Sequence, residues 1–141
     1  MNYSFLAVFI VTLSLSSFIS LNIDNKISLE SSIEQSQVGQ FMNYVYAFDD
    51  YYKQNPSATG DITSKVALPS WLPKNANIKM VINNGVGYVY IPLSKGMMRE
   101  ILKWTDNSAS VGISNGAYIN TVSGKIAKPS FIGYGYIVYV R

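Results

Sequence analysis

The sequence predicts an α+β protein: an N-terminal transmembrane helix, a long amphipathic helix, and a small antiparallel β-sheet with one short helix. Three observations carry that prediction. Residues 3–21 hold no charged side chain, apolar residues recur at steps of three and four from Val38 to Tyr52, and after Pro56 short β-rich runs alternate with Asn-Gly and Pro-containing turns.

The first element is the run Phe5-Leu-Ala-Val-Phe-Ile-Val-Thr-Leu13 and its uncharged continuation to Leu21. A helix over this stretch spans roughly 28 Å at the usual rise per residue, against ~30 Å for the hydrocarbon core of a bilayer. Residues 1–22 are therefore read as a membrane anchor, followed by a single exported α+β domain over 23–141, helical at 23–55 and sheet-rich at 56–141. The competing reading is a cleaved signal segment. It has a small-x-small site at Ser14-Leu15-Ser16 but lacks a basic region before the apolar run. Ser14, Ser16, Ser17 and Ser20 dilute the second half of the anchor and weaken insertion.

The second element runs from Ile27 to Gln54. Val38, Phe41, Met42, Val45, Phe48 and Tyr52 fall on one helical face, and Asn55-Pro56 ends it because proline disfavours α conformation in the residue before it. Gly39 costs about 1 kcal/mol relative to Ala inside a helix, which marks a break or a close approach there.

Beyond Pro56 come the strands. Lys79–Ile82 and Val86–Ile91 flank Asn83-Asn84-Gly85, a β-hairpin signature, and Val111–Ile113 with Ala117–Ile119 around Asn115-Gly116 is a second. Between them Met97, Met98, Ile101, Leu102 and Trp104 show helical spacing over Lys95–Trp104, with Ser94 placed as N-cap. The closing run Tyr134–Val140 is expected to lock into the sheet, because a free apolar tail invites aggregation.

Composition narrows the function classes. With no His and no Cys, triads built on His, thiol nucleophiles, zinc sites with N or S ligands and disulfides are all excluded. Stability must come from burial, which 48% hydrophobic residues can supply. The eight carboxylates are scattered, and the adjacent pair Asp49 and Asp50 points about 100° apart on a helix. A solvated helix end is the expected role for that pair, with ion binding there left open. No phosphate loop, nucleophile elbow or acidic metal loop is present, so the chain is read as no enzyme, with no catalytic, metal or cofactor residue to assign. A hydrolase using carboxylates alone is the weakest reading.

Charge is uneven. Residues 1–61 carry two basic and six acidic side chains, a net of −4, and the remainder carries nine basic against two acidic, a net of +7. Intramolecular pairing between the two parts is expected, and an acidic partner facing the basic part is the alternative. Nucleic-acid binding is not, since the lysines are dispersed and no Arg cluster or binding motif occurs.

Aromatic residues are plentiful, with 11 Tyr, 6 Phe and 2 Trp. Strand alternation puts Val86, Tyr88 and Tyr90 on one face, and Tyr134, Tyr136, Val138 and Val140 together. Tyrosine rows suit protein interfaces, the ring giving apolar area while the hydroxyl stays wet. Trp71, held between Pro69 and Pro73, is a fixed anchor for the core or for a partner. The candidate interface is therefore Trp71, Tyr88, Tyr90, Trp104, Tyr134 and Tyr136.

Ala67-Leu-Pro-Ser-Trp-Leu-Pro73, the Asn-Gly hairpin running into Gly87-Tyr-Val-Tyr90, and Pro129-Ser-Phe-Ile132 before an apolar strand, in that order behind an apolar helix, resemble the PilM proteins of conjugative thin pili. The resemblance covers nearly the whole chain. It implies a non-enzymatic inner-membrane subunit of type IVb pilus biogenesis, in the pilin transport apparatus or pilus base, with no catalytic residues to carry over. The partners it implies are other pilus-machine proteins or pilin, with membrane contact through the N-terminal helix, a periplasmic C-terminal domain and a second copy of the chain as a further partner. Two alternatives stand beside it. A minor pilin also pairs an apolar helix with a small sheet, but its processing motif is missing, there being no Gly before Gly39 and no acid before Asp24. A secreted or periplasmic binding protein would result from cleavage of the N-terminal segment.

Overall fold

The computed structural model of the chain describes residues 30–141; the predicted anchor over 1–22 and the predicted helix start at Ile27 lie outside the described residues. No helix among the described residues is long and apolar enough to cross a membrane. The first described element is helix α1, residues 30–54, and Glu34–Arg141 form one compact unit.

The face of α1 predicted by periodicity is the face that is buried: Val38, Phe41, Met42, Val45 and Phe48 all lie in the core. Phe41 and Phe48 are fully enclosed, and burial of such a ring contributes about 1.5–3 kcal/mol before entropy is counted. The helix runs through Gly39 without a break, and a side chain there would meet nothing within 4 Å. The expected break or close approach is thus corrected: burial of the neighbouring Val38, Phe41 and Met42 outweighs the propensity cost of one glycine.

Seven strands follow: β1 (Gly60–Asp61), β2 (Lys79–Asn83), β3 (Val86–Pro92), β4 (Val111–Ser114), β5 (Tyr118–Thr121), β6 (Gly124–Ala127) and β7 (Tyr136–Val140), with helix α2 (Met97–Trp104) between β3 and β4. They form one antiparallel sheet in the order β1-β2-β3-β7-β4-β5-β6. Both Asn-Gly hairpins are present, and positive φ at Asn84 (51°) and Gly85 (77°) closes the first. The closing strand lies at the centre of the sheet, pairing Val138 with Tyr90 on one side and with Gly112 on the other. The β5–β6 hairpin and the two-residue β1 were not anticipated, since both are too short to show alternation.

Helix α2 begins differently from the sequence reading. Its N-cap is Gly96 in the left-handed region (φ 76°) with no side-chain cap, and the Ser94 hydroxyl instead donates to Gln37 Oε1 at 3.0 Å. The Glu34 carboxylate lies against Gly96, supplying negative charge where the helix dipole is positive.

The sheet has a core on each face. Toward the helices, Met80, Ile82, Val89, Ile91, Val111 and Ile137 meet α1 together with Met97 and Ile101 of α2. On the other face Tyr88, Tyr90, Ile119 and Val138 are covered by Ile132 of the segment entering β7.

Candidate functional site

The six aromatic positions singled out by sequence do not form one face. Tyr88 and Tyr90 are 7% and 9% exposed and belong to the second core. Phe131 packs edge-on against Tyr88 at 5.7 Å between centroids, and Tyr136 packs edge-on against Tyr90 at 5.6 Å. The tyrosine row is therefore interior rather than displayed; Pro129–Ile132, read as a motif but not as a lid, lays Phe131 and Ile132 over it. Burial also holds the Tyr88 and Tyr90 phenols above their ordinary value, with the Asp61 charge and then Tyr136 adding to the rise at Tyr90. Tyr134 was expected to share a strand face with Tyr136 and does not: Gly135 at φ 78° turns the chain, β7 starts at Tyr136, and Tyr134 projects at 81% exposure.

Trp71 and Trp104 are on the surface. Trp71 is 68% exposed on its Pro69–Pro73 loop, while the adjacent Leu72 is buried and fastens that loop to the core. Trp104, 54% exposed at the end of α2, donates its indole N–H to the Tyr46 hydroxyl of α1 at 3.1 Å. Tyr46 is itself 49% exposed. The two rings bridge α1 and α2 as a half-wet aromatic ridge, the composition that protein-binding surfaces favour.

Shallow grooves lie on both sides of that ridge. One, of about 340 Å³, is lined by Gln35, Val38, Glu100, Lys103 and Trp104. The other, of about 480 Å³, runs along Asn43, Tyr46, Asp50 and Gln54 against Lys65 and Leu68. Hydrogen bonds from Lys103 at 2.9 Å and Arg99 at 3.3 Å hold the Glu100 carboxyl below its ordinary value, so this acid stays charged. Sequence reasoning missed Tyr46 because periodicity selects the buried stripe. The available signal was an aromatic lying off that stripe on an amphipathic helix.

Asp49 and Asp50 separate in role. Asp49 accepts the Tyr139 hydroxyl at 3.0 Å and pairs with Arg141 Nη1 at 3.1 Å, joining α1 to the strand at the centre of the sheet. Its expected place at a solvated helix end is corrected, and only Asp50 is exposed. Among the described residues no three acidic groups converge into a metal site. The Asp49–Arg141 pair and the Glu34–Arg99 pair at 3.4 Å join the acidic first part of the chain to the basic remainder, as the charge distribution predicted.

Ser114 is a buried polar residue with both bonding capacities filled: its hydroxyl donates to the Gly133 carbonyl at 2.8 Å and accepts the Tyr136 N–H at 2.8 Å. It fixes the turn that presents Tyr134 and starts β7.

Comparison with known proteins places this arrangement. No curated protein matches the chain. A crystal structure of a PilM protein from Escherichia coli B7A superposes with a TM-score of 0.62 at 22% identity, covering 79% of this chain and 94% of that one. A pilM protein from Pseudomonas aeruginosa 2192 gives a TM-score of 0.49 at 22% identity over 74% of this chain and 90% of that one. The first likeness shows the fold. The family model PilM matches residues 8–140, nearly the whole sequence, and the chain therefore belongs to the PilM family of pilus-associated proteins.

Proposed function

We propose that this chain is a non-enzymatic inner-membrane subunit of a type IV thin-pilus assembly or pilin transport apparatus, serving conjugation. Residues 1–22 anchor it, the Glu34–Arg141 unit stands in the periplasm, and the Tyr46–Trp104 ridge docks onto other pilus proteins. The observation that carries this reading is the ridge itself: two half-exposed aromatic rings, hydrogen-bonded to each other, between grooves on the helical side of the sheet. Family membership supports the pilus context, and the absence of His and Cys from the sequence supports a role without catalysis. Anchoring confines the unit to a thin layer beside the membrane, raising its effective concentration toward partners held there, so contacts of modest affinity suffice.

Deleting the protein tests the role. The expected result is loss of pili with pilin still made at its normal level, and with the full chain in cells, intact at its N-terminus, recovered in the inner-membrane fraction. Unchanged piliation in the deletion strain, or a soluble chain trimmed near Ser16, contradicts the proposal.

A further inference from the structure

Two loops meet the N-terminal half of α1. Gln40 Nε2 donates to the Pro73 carbonyl at 2.9 Å and Gln40 Oε1 accepts from Asn75 Nδ2 at 2.9 Å, which holds the Trp71 loop beside that helix turn. One turn earlier, Gln37 Oε1 accepts the Ser94 hydroxyl at 3.0 Å and Glu34 pairs with Arg99 at 3.4 Å, which holds the 92–96 loop. The two loops carry exposed Trp71 and exposed Leu93. They also carry Lys74 and Lys95, both exposed and neither in an ion pair among the described residues. An open hollow of about 410 Å³ there is lined by apolar Leu93 and Met98 together with cationic Lys95 and Arg99.

This is the end of the unit at which the chain enters it. The uncharged run of the sequence stops at Leu21, 13 residues before Glu34. Thirteen residues reach at most about 45 Å when fully extended. An apolar anchor on such a tether holds this end within that distance of lipid, and the side chains found there are of types that favour the membrane–water boundary: a Trp, a Leu, and two lysines whose ammonium groups suit anionic headgroups.

From this we infer that the end of the unit formed by the Trp71 and Leu93 loops is a second membrane contact, seated on an anionic phospholipid surface with Trp71 at headgroup depth and Lys74 and Lys95 facing lipid phosphate. The inference rests on the anchored reading above. Two contacts, anchor and loops, fix the orientation of the domain and turn the Tyr46–Trp104 ridge along the membrane toward neighbours, where the anchor alone would let the unit swivel.

The test uses the full-length protein in vesicles containing brominated acyl chains, with Trp104→Phe leaving Trp71 as the sole indole and Trp71→Phe as the reciprocal variant. In vesicles containing phosphatidylglycerol, Trp71 emission is expected to be quenched and shifted to the blue, and Trp104 emission is expected to be little changed. Lys74→Glu with Lys95→Glu, at exposed positions that leave the fold intact, is expected to restore much of the Trp71 signal, as is raising the salt. Equal quenching of Trp71 in vesicles of phosphatidylcholine alone, or no quenching in either lipid, overturns the inference. Flotation with the same vesicles separates the two claims: a chain that floats with Trp71 unquenched keeps its anchor and loses the second contact, and a chain that does not float loses both.

Discussion

Ser114 and Gly96 show how much of the unit depends on single atoms. Replacing Ser114 by Ala removes both of its 2.8 Å bonds and leaves the Gly133 carbonyl and Tyr136 N–H without their partner. The cost is expected to be about 1–3 kcal/mol, the penalty for unsatisfied buried polar groups, read as a lower urea midpoint at unchanged slope. At Gly96 a methyl group would sit 2.6 Å from Glu34 Oε1, on a backbone at φ 76°. Gly96→Ala should therefore cost about 1–2 kcal/mol for the left-handed conformation alone, plus the displacement of Glu34. In a Glu34→Ala background only the backbone part should remain, so the two substitutions should be measurably non-additive in a double-mutant cycle. Neither residue stands out in sequence. Ser114 closes a short strand and Gly96 follows a lysine, and only the chain segments they meet, distant in sequence, give them a role.

Among the elements, α1 and the first hairpin were legible and the lid was not. The stripe from Val38 to Phe48 repeats often enough for periodicity to fix its buried face, and Asn84-Gly85 names its own turn. The packing between them is close: a methyl group on Gly87 of β3 would lie 2.7 Å from Phe48 Cε1, so the ring rests directly on backbone. Phe48→Ala is accordingly expected to cost about 3–5 kcal/mol in chemical denaturation, among the largest losses of any single truncation in the unit. The segment Pro129–Ile132 hid its role because irregular chain carries no period. Its covering of Tyr88 and Tyr90 is a tertiary fact, and without it the alternation along β3 reads as a displayed tyrosine row. The same limit explains Tyr134: alternation is a property of a strand, and the turn at Gly135 delays the start of β7 to Tyr136, leaving Tyr134 outside it.

For the whole molecule, titration gives a test of the two-sided core. Burial raises the Tyr88, Tyr90 and Tyr139 phenols above the ordinary value of 10.0. A group raised on folding contributes stability that is present in full below its unfolded pKa and is lost as pH rises through the folded one. Folding stability should therefore fall above about pH 10, and Tyr88→Phe with Tyr90→Phe should flatten that alkaline decline in denaturation series run from pH 8 to 11.5. At the acid limit the sign reverses: Asp61, held below its ordinary value by the Thr63 hydrogen bonds, stabilises the fold until pH drops through its native pKa. Charge asymmetry, helix order and a closing strand locked into the sheet were all written in the sequence; its central position was not. The pairing of Tyr46 with Trp104 was not, because it joins positions 58 residues apart on two different helices. That pairing carries the functional claim, and piliation in a strain whose only copy is Tyr46→Ala, Trp104→Ala tests it most directly. Each of these half-exposed truncations is expected to cost about 1 kcal/mol, small beside the stability of a folded domain. The account predicts normal membrane levels of a folded protein with pili lost or strongly reduced, and full piliation at those normal levels would contradict it.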